Sequence, residues 1–569
     1  MTDRARLIAV ARGDEPPDLV IAGARVFSAF TREWLEADVA VAEGRIAGLG
    51  GFDPAHPGER VDARGRYLVP GFIDAHVHIE SSKLTPAEFA RTVVPHGTTA
   101  VVTDPHEVAN VLGREGVEWM LEASEGLPLD VFVMAPSCVP ASHFESPLSP
   151  LEPEDMEAIL RHPRVLGVAE MMNFPGVIAG AASQLERLEL SGHVDGHAPG
   201  VTGRALDAYV AAGIRSDHEA TTVEEALEKR RRGMWVLIRE ASNARNLVAL
   251  LDLVKRFGPE HCAFCTDDRE PDLLFREGHI DQMCRIAVAE GIAPEDALLM
   301  ATLHPARAHR LLDRGAIAPG LRADLVLLQD LETFRPAAVW KDGALVAEDG
   351  RAADFPRPAV PDRVRSTMHA APVDAATLAI AASPRVRVIE TVPAQLITHA
   401  REEEPTVADG QVVADPARDH AKIAVIERHH ATGRVGLGLV RGFGLTAGAF
   451  ASTVAHDAHN LVVVGVADPD MLACATRLQE IGGGIAVARD GEVRGELPLP
   501  VAGLLSDEPV EAVVERLEAL CAMLTEQGVR DPAPFMTLSF LALSVIPSLK
   551  ITDHGLVDVD RFQLVPLAV

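Results

Sequence analysis

A chain of 569 residues exceeds a single domain, and its 47% hydrophobic and 24% charged residues provide for a large packed core rather than disorder. The formal net charge of −30 argues against a nucleic-acid backbone or an anionic membrane as the main partner. No apolar stretch is long enough to span a bilayer, MTDRARLIAVARGDEPPDLV lacks a signal-peptide core, and the six cysteines are scattered, so the chain reads as a soluble cytoplasmic protein.

Residues 1–66 carry strand-and-turn patterns: DLVIAGARVF, DVAVAEGRIAGLG and the turn-rich GFDPAHPGERVDARG. Residues 315–354 return to that character with GAIAPGLRADLVLLQDL and AAVWKDGALVAEDG. The two flanks predict one small β-sandwich domain around a central region of another kind.

That central region, 67–314, alternates short apolar runs with amphipathic segments. The runs are RYLVPGFIDAH, TTAVVTD, DVFVMAPS, VLGVAE, LSGHVDGH, IRSDHE, MWVLIRE and CAFCTDD, with helix-like stretches such as TPAEFARTVVPHG between them. Eight such units predict a (β/α)8 TIM barrel of the α/β class, whose buried parallel strands read as continuous apolar runs. A doubly wound sheet lacks support, because no Gly-x-Gly-x-x-Gly follows an early strand. A Pro-rich linker, FPRPAVPD at 355–362, then leads to a separate α/β domain over 363–569.

Polar residues gather at the C-terminal ends of the predicted strands, where a barrel enzyme builds its site. The first strand ends in His76-Val77-His78, and residues i and i+2 of an extended chain project to one side, so both imidazoles can grip one ion. The fourth ends in Glu170, the fifth in His197, the sixth in His218, and the eighth in Asp267-Asp268. Nitrogen and oxygen donors without thiolate suit zinc, manganese or ferrous iron.

Within residues 18–350 the segments PGFIDAHVHIESS, TTAVVTDPHEVANVLG, GVAEMMNFPGV, DGHAPG, SDHEATT and CTDDR resemble the adenine deaminases of the amidohydrolase superfamily. STVAHDAHN at 452–460 extends the resemblance into the C-terminal domain. The resemblance implies two divalent metal ions, manganese or iron rather than zinc. His76, His78 and Asp267 would hold one, His197 and His218 the other, and Glu170 would bridge them. The chain has no lysine between Lys83 and Lys229, so a carboxylated lysine on the fourth strand is excluded and a carboxylate must bridge.

The implied activity is hydrolytic deamination of a free purine base, adenine giving hypoxanthine and ammonia in purine salvage, by a homo-oligomer. Asp267 is the natural proton carrier. A related aminopurine such as 6-methyladenine, or a cyclic amide, is the alternative substrate. A metal-free binding protein is a third reading, opposed by the retention of all six ligand-type residues.

Asp104 and His106, at the end of the second strand, either contact substrate and relay protons or form a capped turn. Arg239-Glu240, ending the seventh, reads as a loop ion pair or as a substrate contact. Asp268 either supports Asp267 or exchanges roles with it. His456-Asp457-Ala458-His459 reads as a structural or interdomain loop, and His279 as a surface helix histidine. The run Lys229-Arg230-Arg231-Arg232 reads as a solvated helix end complementing the dipole. His78-Ile79-Glu80 with Cys262-Ala263-Phe264-Cys265 echoes the zinc cytidine deaminases, but those cysteines lack the leading proline and sit on an apolar strand, as core residues do.

Overall fold

The structure, a computed structural model, describes residues 3–52, 58–393 and 395–569, so the middle of the turn-rich segment at 51–65 lies outside the described residues. Eight short strands form the centre: β1 (Phe72–Val77), β2 (Thr98–Thr103), β3 (Asp130–Ala135), β4 (Val165–Met171), β5 (Val194–Gly196), β6 (Ser216–Asp217), β7 (Trp235–Arg239) and β8 (Cys262–Cys265). All pairings among them are parallel, β1 to β5 forming one arc in sequence order and β6 to β8 a second. The arcs meet at both seams. Arg215 N donates to Val194 O at 3.3 Å, and Asp267 N donates to His76 O at 2.9 Å. Every residue of β1, β2 and β8 is buried, which is why these strands read as unbroken apolar runs. The unit is α/β and TIM-barrel-like.

Helices return the chain between strands, and their ends follow local chemistry. The helix Val223–Arg231 begins where the Thr222 hydroxyl accepts from Glu225 N, with acids in its first turn and bases in its last. Gly196, ending β5, is required by a close approach: a Cβ there would lie 2.3 Å from Ser216 O on β6. That contact draws together the two strand ends that carry His197 and His218.

The flanks of the barrel join in one nine-stranded mixed sheet. Leu325–Leu328 pairs antiparallel with Tyr67–Pro70, which pairs in turn with Leu19–Ser28. Beyond the linker lies an eight-stranded sheet running from Thr398–Glu403 at one edge to Glu492–Pro498 at the other. The helix Asp468–Glu480 covers one face through Met471, Cys474 and Leu478. The other face, with Ile423, Val425, Phe450 and Val462, belongs to the same continuous apolar cluster as barrel residues Phe89, Leu250 and Phe264. The C-terminal unit is therefore packed onto the barrel.

The basic run corrects one expectation. Arg231 is exposed and its neighbours Arg230 and Arg232 are half-buried, but Lys229 turns inward and is fully buried. Its ammonium lies 2.8 Å from Asp217 Oδ2, 2.7 Å from Glu225 Oε1 and 2.7 Å from the carbonyl of Ala198. Two carboxylates and a carbonyl meet the desolvation of the charge, and they tie the turns after β5 and β6 to one anchor. Lys229→Met should cost about 3–5 kcal/mol, because it leaves buried carboxylates unpaired. Urea denaturation of the full chain measures this, and a loss under about 1 kcal/mol would make Lys229 an ordinary surface residue.

Candidate metal centre

His76, His78, Glu170, His197, His218 and Asp267 converge at the C-terminal ends of the strands, each at most 5% exposed. His76 Nε2 and His78 Nε2 lie 3.1 Å apart. That separation is roughly what two ligands subtend across an ion held by bonds of about 2.0–2.1 Å. Glu170 stands between two pairs of imidazoles. Its Oε1 is 3.7 Å from His76 Nε2 and 3.3 Å from His78 Nε2, while its Oε2 is 2.7 Å from His197 Nδ1 and 3.2 Å from His218 Nε2. Asp267 Oδ1 lies 3.2 Å from His78 Nε2 and 3.8 Å from His76 Nε2. Asp267 has a left-handed φ of 55°, a conformation aspartate tolerates better than most residues, in the turn that follows β8. Ring nitrogens aimed at one another around shared carboxylate oxygens fit a divalent metal site.

Other groups fix the orientation of these side chains. His78 Nδ1 donates to Asp104 O at 2.9 Å, leaving the Nε2 lone pair facing inward. Asp74 accepts from His76 N at 3.2 Å and Thr266 N at 3.1 Å, which ties β1 to the end of β8. Tyr209 donates its hydroxyl proton to Met171 O at 2.9 Å and accepts from His197 N at 3.0 Å, joining the ends of β4 and β5. His279 corrects a second expectation. It is fully buried, 3.0 Å from Asp74 Oδ2 and hydrogen-bonded to Thr98 Oγ1 at 2.7 Å. Opening a helix placed its backbone at a helix end but did not place its ring in solvent.

Arg239 does not pair with Glu240. It turns into the barrel, donating to Asp267 Oδ2 at 2.6 Å and Glu219 Oε2 at 3.0 Å, and forms a further contact with Glu219 Oε1. Glu219 follows His218 directly in SDHEATT, yet nothing in the sequence singled it out. Burial alone would push the Asp267 and Glu170 carboxyls up. Arg239 beside Asp267, and His218 and His197 beside Glu170, outweigh that and hold both well below the ordinary range. Asp268 lines the same recess but is held by Ser81, whose Oγ donates to it at 2.5 Å, and burial together with Asp267 pushes its carboxyl up.

The turn after β2 is not capped by Asp104, since the helix His106–Leu112 has no side-chain cap. Asp104 Oδ2 instead lies 3.2 Å from His106 Nδ1. The C-terminal unit reaches in to meet this pair. Its tetrad at 456–459 is an interdomain loop as read, but a purely structural role is corrected by its place in the barrel mouth, where His456 and Asp457 line the metal recess. His456 stacks on Phe540, with ring centroids 4.6 Å apart. Leu396, Leu543 and Ile546 complete an apolar roof. An adjoining cavity of about 610 Å³ shares Met172, Glu219, Arg239, Leu396 and Ile546 with this recess. Cys262 and Cys265 lie in apolar clusters of the core, and burial pushes the Cys262 thiol up to about 12.

Comparison with known proteins matches residues 67–346 to the Amidohydrolase family and residues 395–563 to the Adenine deaminase C-terminal domain. Adenine deaminase 2 of Carboxydothermus hydrogenoformans is 47% identical over 567 residues, covering 99% of each chain. The adenine deaminase of Desulfatibacillum aliphaticivorans is also 47% identical with 99% of each chain covered. That of Cereibacter sphaeroides is 48% identical over 98% of this chain and 99% of its own.

Arg239 gives the site a defined response to acid. A carboxyl held low stays ionised as pH falls, until the pH passes through that low pKa. Removing the guanidinium raises the pKa, so protons compete for Asp267 at a higher pH. Arg239→Gln should therefore shed bound divalent metal at a higher pH than the wild type. Metal content after dialysis over a falling pH series measures this, and coincident curves would contradict the role given to Arg239.

Proposed function

This chain belongs to the adenine deaminase family of the amidohydrolase superfamily, and from that premise we propose how its buried residues divide the work. It is a hydrolase of C–N bonds that converts adenine to hypoxanthine and ammonia. The observation that carries the site reading is Glu170, whose two oxygens face separate imidazole pairs.

His76, His78 and Asp267 would hold one divalent ion and His197 and His218 a second, with Glu170 spanning both. Manganese or iron is favoured within the family, and zinc suits the same donors. When bound, such ions lower the pKa of a water they bind to about 7, supplying a nucleophile at neutral pH.

The chain's own residues then manage protons and position. Water adds to the ring carbon that bears the amine. Asp267, ionised beside Arg239, takes the water proton and delivers it to the adjacent ring nitrogen. The proton of the new C–OH group, passed to the exocyclic nitrogen, lets the C–N bond break, so that ammonia leaves and the C=O of hypoxanthine forms. Asp104 and His106 would wall the purine on the β2 side. The apolar roof of Met172, Leu396, Phe540 and Ile546 suits a flat heteroaromatic base, and the neighbouring cavity would give access. A neutral base is not repelled by an acidic protein. Such a free-base deaminase would serve purine salvage in the cytoplasm as a homo-oligomer.

Glu170→Gln should lose two bound ions relative to the wild type, together with activity. Asp267→Asn should lower kcat by about 10²–10⁴-fold while changing KM far less. An Asp268→Asn variant that loses turnover while Asp267→Asn keeps it would reverse the two roles. Across a substrate series scored by ammonia release, manganese-loaded protein should act on adenine and not on adenosine or its phosphates. Release from adenosine but not adenine would overturn the free-base reading.

A further inference from the structure

A second group of ligand-type side chains lies beside the strand-end cluster and shares none of its six residues. His106 contributes Nε2 from the barrel, and the loop at 456–459 contributes His456 Nδ1 and the Asp457 carboxylate. Asp457 Oδ1 lies 3.5 Å from His106 Nε2 and 3.6 Å from His456 Nδ1. One donor atom from each of the three residues lies within 4.8 Å of the other two. The three residues are 3%, 2% and 1% exposed, for His106, His456 and Asp457 in turn. The two spacings are too long for hydrogen bonds, yet close to what ligands span around one ion with bonds of about 2.0–2.2 Å. Asp457 Oδ2 has no hydrogen-bond partner.

The far side of the His106 ring supports the same arrangement. His106 Nδ1 faces Asp104 Oδ2 at 3.2 Å, and His456 Nε2 faces Asp268 Oδ1 at 3.8 Å. The carboxylate behind His106 favours the proton on Nδ1, leaving a lone pair on the Nε2 turned toward Asp457. Charge points the same way. Asp104, Asp268 and Asp457 are buried around two imidazoles, and among the described residues no lysine or arginine pairs with any of them. Buried carboxylates need paired cations or a metal.

A neighbouring triad, Glu107, His456 and His459, fails a test that this one passes. His459 Nδ1 accepts the amide of Ala455 at 3.0 Å, so its neutral ring carries the proton on Nε2. That nitrogen, 3.6 Å from Glu107 Oε2, is a donor and not a ligand.

We propose that His106 Nε2, His456 Nδ1 and Asp457 hold a further divalent cation, of the manganese, ferrous iron or zinc class, at the seam between the barrel and the C-terminal unit. The ion would clamp the 456–459 loop over the barrel mouth. Asp104 behind His106, and Phe540 stacked on His456, would keep the two rings in register without binding it.

The test uses full-length protein stripped with a chelator, reloaded with manganese and freed of excess. Elemental analysis should give three ions per chain for the wild type, two for Asp457→Asn and one for Glu170→Gln. Anomalous diffraction at the manganese edge should show a peak between His106, His456 and Asp457 in wild-type crystals, which decides the matter even if Asp457→Asn fails to fold. An Asp457→Asn count equal to the wild type's would overturn the proposal. So would the absence of that peak when the strand-end positions carry manganese. A count that falls by one in Asp457→Asn and by none in Glu170→Gln would uphold this site and sink the pair at Glu170.

Discussion

Glu170 is a carboxylate buried at the end of β4 with an imidazole pair on each side of it. Burying such a charge costs several kcal/mol unless cations or donors surround it, and here the four imidazoles come from three other strands, β1, β5 and β6. The arrangement works only if those strand ends hold their separation. Lys229 joins the turns after β5 and β6, Tyr209 joins β4 to β5, and Asp74 joins β1 to the end of β8. The barrel thus acts as a frame for a few ångströms of geometry. Its strand ends carry the ligand-type residues, while the groups beneath them set the spacing.

The C-terminal unit completes what the barrel leaves open. Because its inner sheet face shares one apolar core with the barrel, its loops can approach the site as fixed walls. Lys550 links two of these walls, donating to Leu396 O at 2.7 Å and Phe540 O at 2.9 Å, and burial pushes its ammonium down to about 7. His456 and Phe540 stack within the same roof. The recess is polar and charged below and apolar above, as a site that holds a flat base over a hydrolytic centre requires.

The strand ends were legible in the sequence because barrel strands are buried on both faces. A histidine or carboxylate that closes an apolar run must then point to the mouth, and His76, His78, Glu170, His197, His218 and Asp267 all do so. The roof was not legible in the same way. His106 and Asp457 are hundreds of residues apart, and only the docking of two units brings them together. His279 and Lys229 were misread for a related reason. Helix position locates a backbone, but burial depends on a partner: Asp74 is remote in sequence from His279, and Asp217, though only 12 residues from Lys229, is placed by the fold of β6 and not by helical spacing. Glu219 carried no spacing signal, since its role depends on the guanidinium that reaches it from β7.

Glu170 is proposed to hold two divalent ions side by side. X-ray absorption at the manganese edge of the loaded wild-type chain tests this without reference to turnover. Two ions bridged by Glu170 should give a manganese–manganese scattering component in addition to the nitrogen and oxygen shell. A spectrum with nitrogen and oxygen neighbours alone, from fully loaded and active protein, would contradict it.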